Sequence, residues 1–149
     1  MLLDDHLVKL QAMGSSPFAQ PFEQQIVPWG RKLSRLQDIL ETVLNLQAKW
    51  MYLQPIFGSE EIMKQIPKEG AAFRQTDSIW HAAMENIKRS PEIMTVADMP
   101  NLLEDLKAAC EQLDVVESGL NAFLDTKKLA FPRFFFVSND GVHFYILCV

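Results

Sequence analysis

Apolar positions recur along three stretches of the chain at alternating steps of three and four residues, which keeps them on one side of an α-helix. The first stretch carries Ile39, Val43, Leu46, Trp50, Leu53 and Phe57. The second carries Phe73, Thr76, Trp80, Ala83 and Ile87. The third carries Met99, Leu103, Leu106, Cys110, Leu113, Leu120 and Leu124, with Glu117 as its polar break. The pattern predicts three long helices, over about residues 22–53, 69–88 and 99–128.

Turn-forming residues set the expected boundaries of these helices. Residues 1–13 predict a short helix, and residues 14–21 are a turn-rich connector. Pro28 and Gly30 predict either a kink or a later start of the first long helix, near Trp29. Pro55 is expected to end or bend that helix, because proline removes a donor and clashes one turn back. Ser59 is an expected N-cap of a short helix over residues 59–66.

Two segments favour extended backbone. Residues 93–96 are short and β-branched, which predicts a strand or a loop, and Asp98 after them is an expected N-cap of the last long helix, with Pro100 in its first turn. Residues 131–137 are aromatic and bounded by Pro132 and a Ser-Asn-Asp turn, which is typical of a buried strand or extended segment. We therefore expect a mostly α domain with a short extended segment near the C-terminus.

Composition narrows the class of protein. The chain has 149 residues, 48% of them apolar, and a net charge of −5, which is consistent with one domain and a sizeable core. An acidic chain is a poor match for nucleic acid, because phosphate binding needs a basic patch. No run of 18 apolar residues suggests a membrane span, and acidic residues interrupt the amino end too early for a secretory signal.

No arrangement of residues predicts catalysis, a cofactor or a metal site. None of the six glycines belongs to a phosphate-binding loop. His6, His81 and His143 lack ligand-like spacing, and two cysteines make no metal pair. Cys110 is expected to be a small core residue, and its pairing with Cys148 is not expected, since two cysteines fit a reducing compartment.

Adjacent acidic residues and a set of aromatic residues have two interpretations each. The pairs at residues 4–5, 60–61 and 104–105 point in different directions on a helix, which favours solvated faces or helix-dipole roles over paired acid–base catalysis. Five aromatic residues could form a ligand box, but aromatic residues at helical spacing are more typical of a core, and we favour a core for Trp50, Tyr52, Phe57, Phe73 and Trp80.

Several ordered motifs resemble one protein family. Phe131-Pro-Arg-Phe-Phe-Phe-Val-Ser-Asn-Asp140 resembles a signature in the linker of dynein heavy chains, and Trp50-Met-Tyr-Leu-Gln-Pro-Ile-Phe57 and Ser59-Glu-Glu-Ile-Met-Lys-Gln-Ile-Pro67 resemble segments that precede it. Upstream, Leu3-Asp-Asp-His-Leu-Val8 and Ser16-Pro-Phe-Ala-Gln-Pro-Phe-Glu23 also match. The resemblance is to axonemal heavy chains and covers roughly residues 2–140.

The resemblance implies an elongated helical bundle of the linker type, which in the family precedes the AAA+ motor ring. It implies a mechanical element that couples ATP-driven ring changes to microtubule-based movement in the axoneme of cilia or flagella. The parent protein would be a microtubule-dependent ATPase, whereas this part lacks the ATP-binding modules and is not expected to be an enzyme. Implied partners are the motor ring and other dynein chains, intermediate and light intermediate, with microtubules contacted only indirectly and no membrane.

Three features leave alternatives open. Arg133 would form an internal salt bridge, lie exposed on the opposite face of its strand, or contact the motor ring. Residues 1–140 are the expected linker segment, whereas residues 141–149 depart from the family's Glu-Leu-Leu-rich helix and are expected to be a divergent end from truncation or alternative splicing, either loosely ordered or laid beside residues 134–137. Val43 also stands where many relatives carry Trp.

The alternative function is a helical scaffold or interaction module unrelated to a motor.

Overall fold

The computed structural model describes residues 2–130, which are built from helices. In chain order these are α1 (Leu2–Gly14), α2 (Glu23–Phe57), α3 (Glu60–Gln65), α4 (Pro67–Arg89), α5 (Ile93–Asp98) and α6 (Leu102–Ala130), with a 3-10 turn at Gln20–Phe22 before α2. The prediction of a mostly α fold is confirmed. The expected extended segment at residues 131–137 lies outside the described residues.

Helix α6 forms the centre of the core, with α2 and α4 packed against it. Its fully buried side chains include Leu106, Leu113, Leu120 and Leu124. Helix α2 contributes a line of buried aliphatic residues at seven-residue spacing, Ile39, Leu46 and Leu53. The stripes predicted from the sequence are therefore the surfaces on which the three long helices meet.

Helix α2 runs further in both directions than its prolines predict. Its 35 residues span about 52 Å at 1.5 Å per residue, and both Pro28 and Pro55 lie inside it. Of the two expectations for Pro55, that it ends or bends the helix, the first is wrong, because the helix continues to Phe57. Ile56 and Phe57 are each only 5% exposed, so their burial offsets the lost hydrogen bond. The Gly58 amide still donates to the Gln54 carbonyl over 2.9 Å.

Helices α3 and α4 come next along the chain and approach each other closely. Ser59 occupies the predicted N-cap position of α3, but its side chain makes no capping hydrogen bond. Pro67 begins α4 at a position where the missing amide proton costs nothing. At Gly70 a Cβ atom would lie 2.6 Å from Met63 Sδ, so the Met63 side chain occupies the space that a larger residue at position 70 would take.

The prediction of a strand or loop at residues 93–96 is wrong. Residues 93–98 form α5, whose first turn closes when the amides of Thr95 and Val96 donate to the Glu92 carbonyl over 2.9 and 3.0 Å. Val96 and Ala97 are buried against the core. The β preference of a branched residue spans only about 1 kcal/mol, which tertiary burial overrides.

Asp98 is not an N-cap. It ends α5, and its carboxylate pairs with Lys32 of α2. The turn into α6 is made instead by Asn101, whose φ of 60° lies in the left-handed region that Asn tolerates better than most residues. The Asn101 carbonyl accepts the Asp105 amide over 2.8 Å, which starts the helical ladder of α6.

Candidate functional site

A hydrogen-bonded aromatic contact joins α2 to α4. The indole Nε1 of Trp50 donates to Asp77 Oδ1 over 2.8 Å. The Trp50 ring also lies 6.3 Å from the Trp80 ring, tilted by 33°, and meets the His81 ring edge-on at 5.8 Å and 76°. These centroid distances lie within the range in which aromatic pairs attract.

His81 approaches the same aspartate from its own helix. Its Nδ1 lies 2.9 Å from the Asp77 carbonyl oxygen, which can only accept, so Nδ1 carries the proton of this contact. The same nitrogen lies 3.3 Å from Asp77 Oδ1. Trp50 and His81 therefore both present N–H groups towards Asp77. The His81 side chain is 65% exposed, so this cluster reaches the surface.

A second aromatic contact lies deeper in the core. Phe57 and Phe73 stack with centroids 5.1 Å apart and planes inclined by 15°, and both are 5% exposed. The core interpretation is confirmed for these two residues and for Trp80, which is 7% exposed. Tyr52 differs: it is 37% exposed, because it stands two residues, or about 200°, from Trp50 around α2. The five aromatic residues thus do not form one box.

Two cations of α2 are held by acidic residues of later elements. Lys49 pairs with Asp114 of α6, and Lys32 pairs with Asp98 of α5. The acidic partners are 56% and 64% exposed, and such pairs contribute about 0–1 kcal/mol each. They mark two points along α2 at which α5 and α6 meet it.

The connection between α5 and α6 receives a further contact from α2. Arg35 Nη2 donates to the Met99 carbonyl over 3.0 Å. Arg35 Nε is buried and makes no hydrogen bond to a protein atom. Arg35 thus lies one turn from Lys32 on α2. It binds Met99, the residue that follows Asp98, and Asp98 is the partner of Lys32. The two cations hold the connection in one place.

A buried polar contact links α4 to α6. The Thr76 hydroxyl is fully buried and lies 3.1 Å from both the Ala72 carbonyl and Gln112 Oε1. One hydroxyl proton serves one acceptor at a time. The Gln112 amide also reaches Gln75 Oε1 at 3.5 Å. Because an unpaired buried hydroxyl is costly, this contact favours one register of α4 on α6.

The ionisable residues considered for chemistry do not assemble into a site within the described residues. The acidic pairs at 4–5, 60–61 and 104–105 are all exposed. His6 lies on α1 and His81 on α4, and no group of three potential ligands occurs among residues 2–130. Cys110 is buried with a free thiol whose Sγ lies 3.9 Å from the Thr42 carbonyl, and burial raises the pKa of that thiol. A high pKa disfavours the nucleophilic thiolate.

An open cleft of about 660 Å³ lies where α4 ends and α6 begins. Its lining is mainly apolar, including Ile79, Ala82, Met99 and Ala108, with Arg89 and Asp105 as its charged members. Cysteine and histidine are absent from the lining, and Ser90 is its sole hydroxyl. The lining therefore provides no nucleophile–base pair for covalent chemistry.

Some predicted residues cannot be placed. Arg133, His143 and Cys148 lie outside the described residues, as do the motif at residues 131–140 and the end at 141–149. Among residues 2–130, no helix is long and apolar enough to cross a membrane.

The residues that hold α2 in place were largely absent from the sequence prediction. Asp77 and Asp114 are 27 and 65 residues from the side chains they bind, so no local pattern connects them. A partial signal existed for Asp77, because it stands four residues before His81 on one helix face. The arrangement as a whole brings α2 into contact with α4, α5 and α6.

Comparison with known proteins adds to this geometry. The model of a protein family described as "Dynein heavy chain, N-terminal region 2" matches residues 1–143. The chain is 46% identical over 140 residues to human dynein axonemal heavy chain 3, which covers 94% of this chain and 3% of that protein. It is 44% identical over 139 residues to human dynein axonemal heavy chain 12, covering 93% of this chain and 4% of that protein.

A third relative gives the same result. Rat dynein axonemal heavy chain 1 is 44% identical over 139 residues, which cover 93% of this chain and 3% of that protein. The chain therefore spans about 3–4% of the length of these relatives. What it shares with them is a short, contiguous part of a very long polypeptide.

Proposed function

The chain belongs to the dynein heavy chain family, and on that premise we propose that residues 1–140 form a segment of the linker, the mechanical element of a dynein motor. The observation that carries the proposal is the match of residues 1–143 to the family's N-terminal region 2. The division at residue 140 remains a prediction. We further propose that the parent protein works in the axoneme of cilia or flagella, which rests on the names of the relatives.

The physical basis of the proposal is stiffness. A linker must pass a displacement along its length, which requires helices that move as one body. Helix α2 spans about 52 Å, and its buried residues Ile39, Leu46 and Leu53 pack it into the core around α6. Close-packed interiors of this kind transmit strain. In the parent protein, states of the ring would bind different linker poses with different free energies and so shift the population of poses.

Partners and catalysis follow from the same premise. In the parent protein we propose contacts with the AAA+ ring and with intermediate and light intermediate chains, and only indirect contact with microtubules. The segment itself is proposed to lack enzymatic activity, because none of its glycines forms a phosphate-binding loop. Titration calorimetry of the purified chain with millimolar ATP is expected to give no heat of binding. Stoichiometric binding would contradict this part of the proposal.

A chimeric motor tests the mechanical role. The matched segment of a recombinant axonemal heavy chain is replaced by residues 1–140, and ATPase activity and microtubule gliding are measured. We expect the chimera to glide. In the same chimera, Leu113→Asp places a charge at a fully buried position of α6 and is expected to abolish gliding while basal ATPase activity persists. Ala122→Asp, at an exposed position of the same helix, is the matched control.

The outcome separates the proposal from the alternative of a helical scaffold. If the Leu113→Asp chimera glides as fast as the Ala122→Asp chimera, the segment does not transmit force. If the chimera folds and hydrolyses ATP but does not move microtubules even without these substitutions, residues 1–140 cannot serve as a linker segment. A helical interaction module unrelated to a motor would then be the better interpretation.

A further inference from the structure

A serine followed by a proline occurs twice in the chain, at Ser16-Pro17 and at Ser90-Pro91. This dipeptide is the minimum that proline-directed protein kinases recognise, because a residue without a backbone amide proton fits their groove beyond the serine. Such a kinase also needs an extended backbone and an available hydroxyl at the serine. The two serines have the same motif, so only their local structure distinguishes them.

Ser16 lies in a compact turn. Its carbonyl accepts the Ala19 amide over 3.0 Å, which closes a β-turn with Pro17 at the second position. The Ser16 Oγ accepts the Phe18 amide over 3.3 Å. A substrate serine lies in an extended segment across the kinase groove, so binding of Ser16 would first have to break both hydrogen bonds.

Ser90 lies where the chain leaves α4. Its φ of −131° and ψ of 77° are outside the helical region, and Glu92 is extended at φ −66° and ψ 120°. Pro91 favours this geometry, because proline disfavours helical backbone at the residue before it. Pro91 and Glu92 are exposed and Ser90 is half-buried. Within residues 2–130 the Ser90 Oγ has no hydrogen-bond partner, so its hydroxyl is available for reaction.

We propose that Ser90 is a phosphorylation site for a proline-directed kinase, with ATP as the phosphoryl donor. The Ser90 Oγ forms a bond to the γ-phosphorus of ATP, and the bond from that phosphorus to the oxygen of the leaving ADP breaks. The hydroxyl proton passes to the catalytic aspartate of the kinase and then to water. The phosphoserine carries a charge of about −1.5 to −2 at pH 7. Modification of Ser90 does not depend on the linker role proposed above.

The surroundings of Ser90 determine what the phosphate does. The phosphate would lie at the C-terminus of α4, where the helix dipole is negative. Ser90 also lines the mainly apolar cleft between α4 and α6, and Asp105 in that lining has the same sign of charge as the phosphate. The nearest cations in sequence, Lys88 and Arg89, are both exposed, so solvent screens their attraction. Repulsion therefore outweighs attraction, and the phosphate is expected to loosen the end of α4.

Phosphorylation of the purified chain tests the site. The full chain is incubated with ATP and a purified mitogen-activated protein kinase, which is a proline-directed enzyme, and the modified residues are mapped by mass spectrometry. We expect phosphate at Ser90. Ser90→Ala and Pro91→Ala are expected to abolish incorporation, because they remove the acceptor and the proline that the kinase requires. Ser16→Ala is the matched control at the other copy of the dipeptide and should leave the rate of incorporation unchanged.

Two controls separate recognition from folding. Far-ultraviolet circular dichroism checks that the variants keep their helices, and a synthetic peptide of residues 86–95 reports whether the kinase accepts this sequence at all. Incorporation at Ser16 that equals or exceeds incorporation at Ser90 overturns the proposal. So does a peptide that remains unmodified, a folded wild-type chain that remains unmodified while the peptide reacts, or a rate that Ser90→Ala leaves unchanged.

Thermal unfolding tests the effect of the phosphate. The phosphorylated chain is expected to melt about 2–4 °C below the unmodified chain. Asp105→Asn removes the negative charge from the cleft and should reduce this difference, whereas Glu104→Gln, at an exposed position outside the lining, should preserve it. A phosphorylated chain that melts at or above the temperature of the unmodified chain overturns the loosening of α4. Equal effects of the two substitutions overturn the role assigned to Asp105.

Discussion

The contact between Trp50 and Asp77 allows a sharp test of how α2 is held on α4. Truncating a fully buried Phe or Trp to Ala costs about 3–5 kcal/mol. Trp50 is only half-buried, so Trp50→Ala is expected to lower the free energy of unfolding by about 2–3 kcal/mol.

The hydrogen bond from Trp50 Nε1 to Asp77 Oδ1 can be separated from the packing of the ring. Trp50→Phe keeps an aromatic ring and removes the donor, whereas Asp77→Ala removes the acceptor. Hydrogen bonds to charged groups contribute about 1.5–3 kcal/mol when buried. Because the Asp77 side chain is 37% exposed, we expect a coupling free energy nearer 1 kcal/mol from the double-mutant cycle.

Urea unfolding followed by far-ultraviolet circular dichroism measures all four proteins on one scale, and avoids tryptophan fluorescence, which the substitution itself changes. The cycle is valid if the dependence of free energy on urea is the same in all four. Met51→Ala, at a 60% exposed position of α2, is the control and should stay within about 0.5 kcal/mol of wild type. A coupling below about 0.3 kcal/mol would show that the two side chains contribute independently, and the bond would have no role in holding α2 on α4.

Further predictions concern glycine, asparagine and cysteine positions. Gly30→Ala should stabilise the chain by about 0.5–1 kcal/mol in thermal unfolding, because nothing lies within 4 Å of the new Cβ. Gly70→Ala should raise the melting temperature less than Gly30→Ala or lower it, since its Cβ would lie 2.6 Å from Met63 Sδ and that side chain would have to move. Asn101→Val should cost about 1–2 kcal/mol in urea unfolding at its φ of 60°, and Asn101→Gly should not. Burial raises the pKa of the Cys110 thiol, so the folded chain holds the thiol proton more tightly than the unfolded chain does. The free energy of unfolding should therefore fall as pH rises above the unfolded pKa of about 8.5. Cys110→Ala, made in a Cys148→Ser background, should flatten this pH dependence.

The part of the fold that the sequence predicted is the part set by local periodicity. The stripe through Leu46 and Leu53 needs only the repeat of a helix, because every turn returns an apolar side chain to the same face. The same holds for Phe73 and Trp80 on α4 and for Leu113 on α6. All five are buried, and each lies on the helix that the pattern predicted.

The errors arise where a distant contact overrides a local preference. The prolines of α2 and the branched residues of α5 favour other conformations locally, yet burial of Phe57 and Val96 keeps both segments helical. Asp98 has the residue type of an N-cap, but a cation 66 residues away, Lys32, takes its carboxylate. Such a partner cannot be identified from one sequence, because many spacings would place a lysine near an aspartate.

The sequence also underestimated the width of the apolar surface on α6. The predicted stripe follows one line through Leu106, Cys110 and Leu113, whereas Ala109 and Val116 beside it are 0% and 1% exposed. A helix that packs against one neighbour needs a narrow stripe, and a helix between two neighbours needs a wide arc.

This width identifies α6 as the central helix. Helix α2 meets one side of the arc, where Lys49 pairs with Asp114. Helix α4 meets the other, where Thr76 reaches Gln112. The two outer helices also touch directly at Trp50 and Asp77, but most of what they share is packed through α6. In the linker role proposed for the chain, a displacement of α2 would reach α4 chiefly through the buried face of α6, because close-packed side chains transmit strain instead of absorbing it. For that reason a charge at Leu113, in the middle of the arc, should uncouple movement from ATP hydrolysis in the chimeric motor.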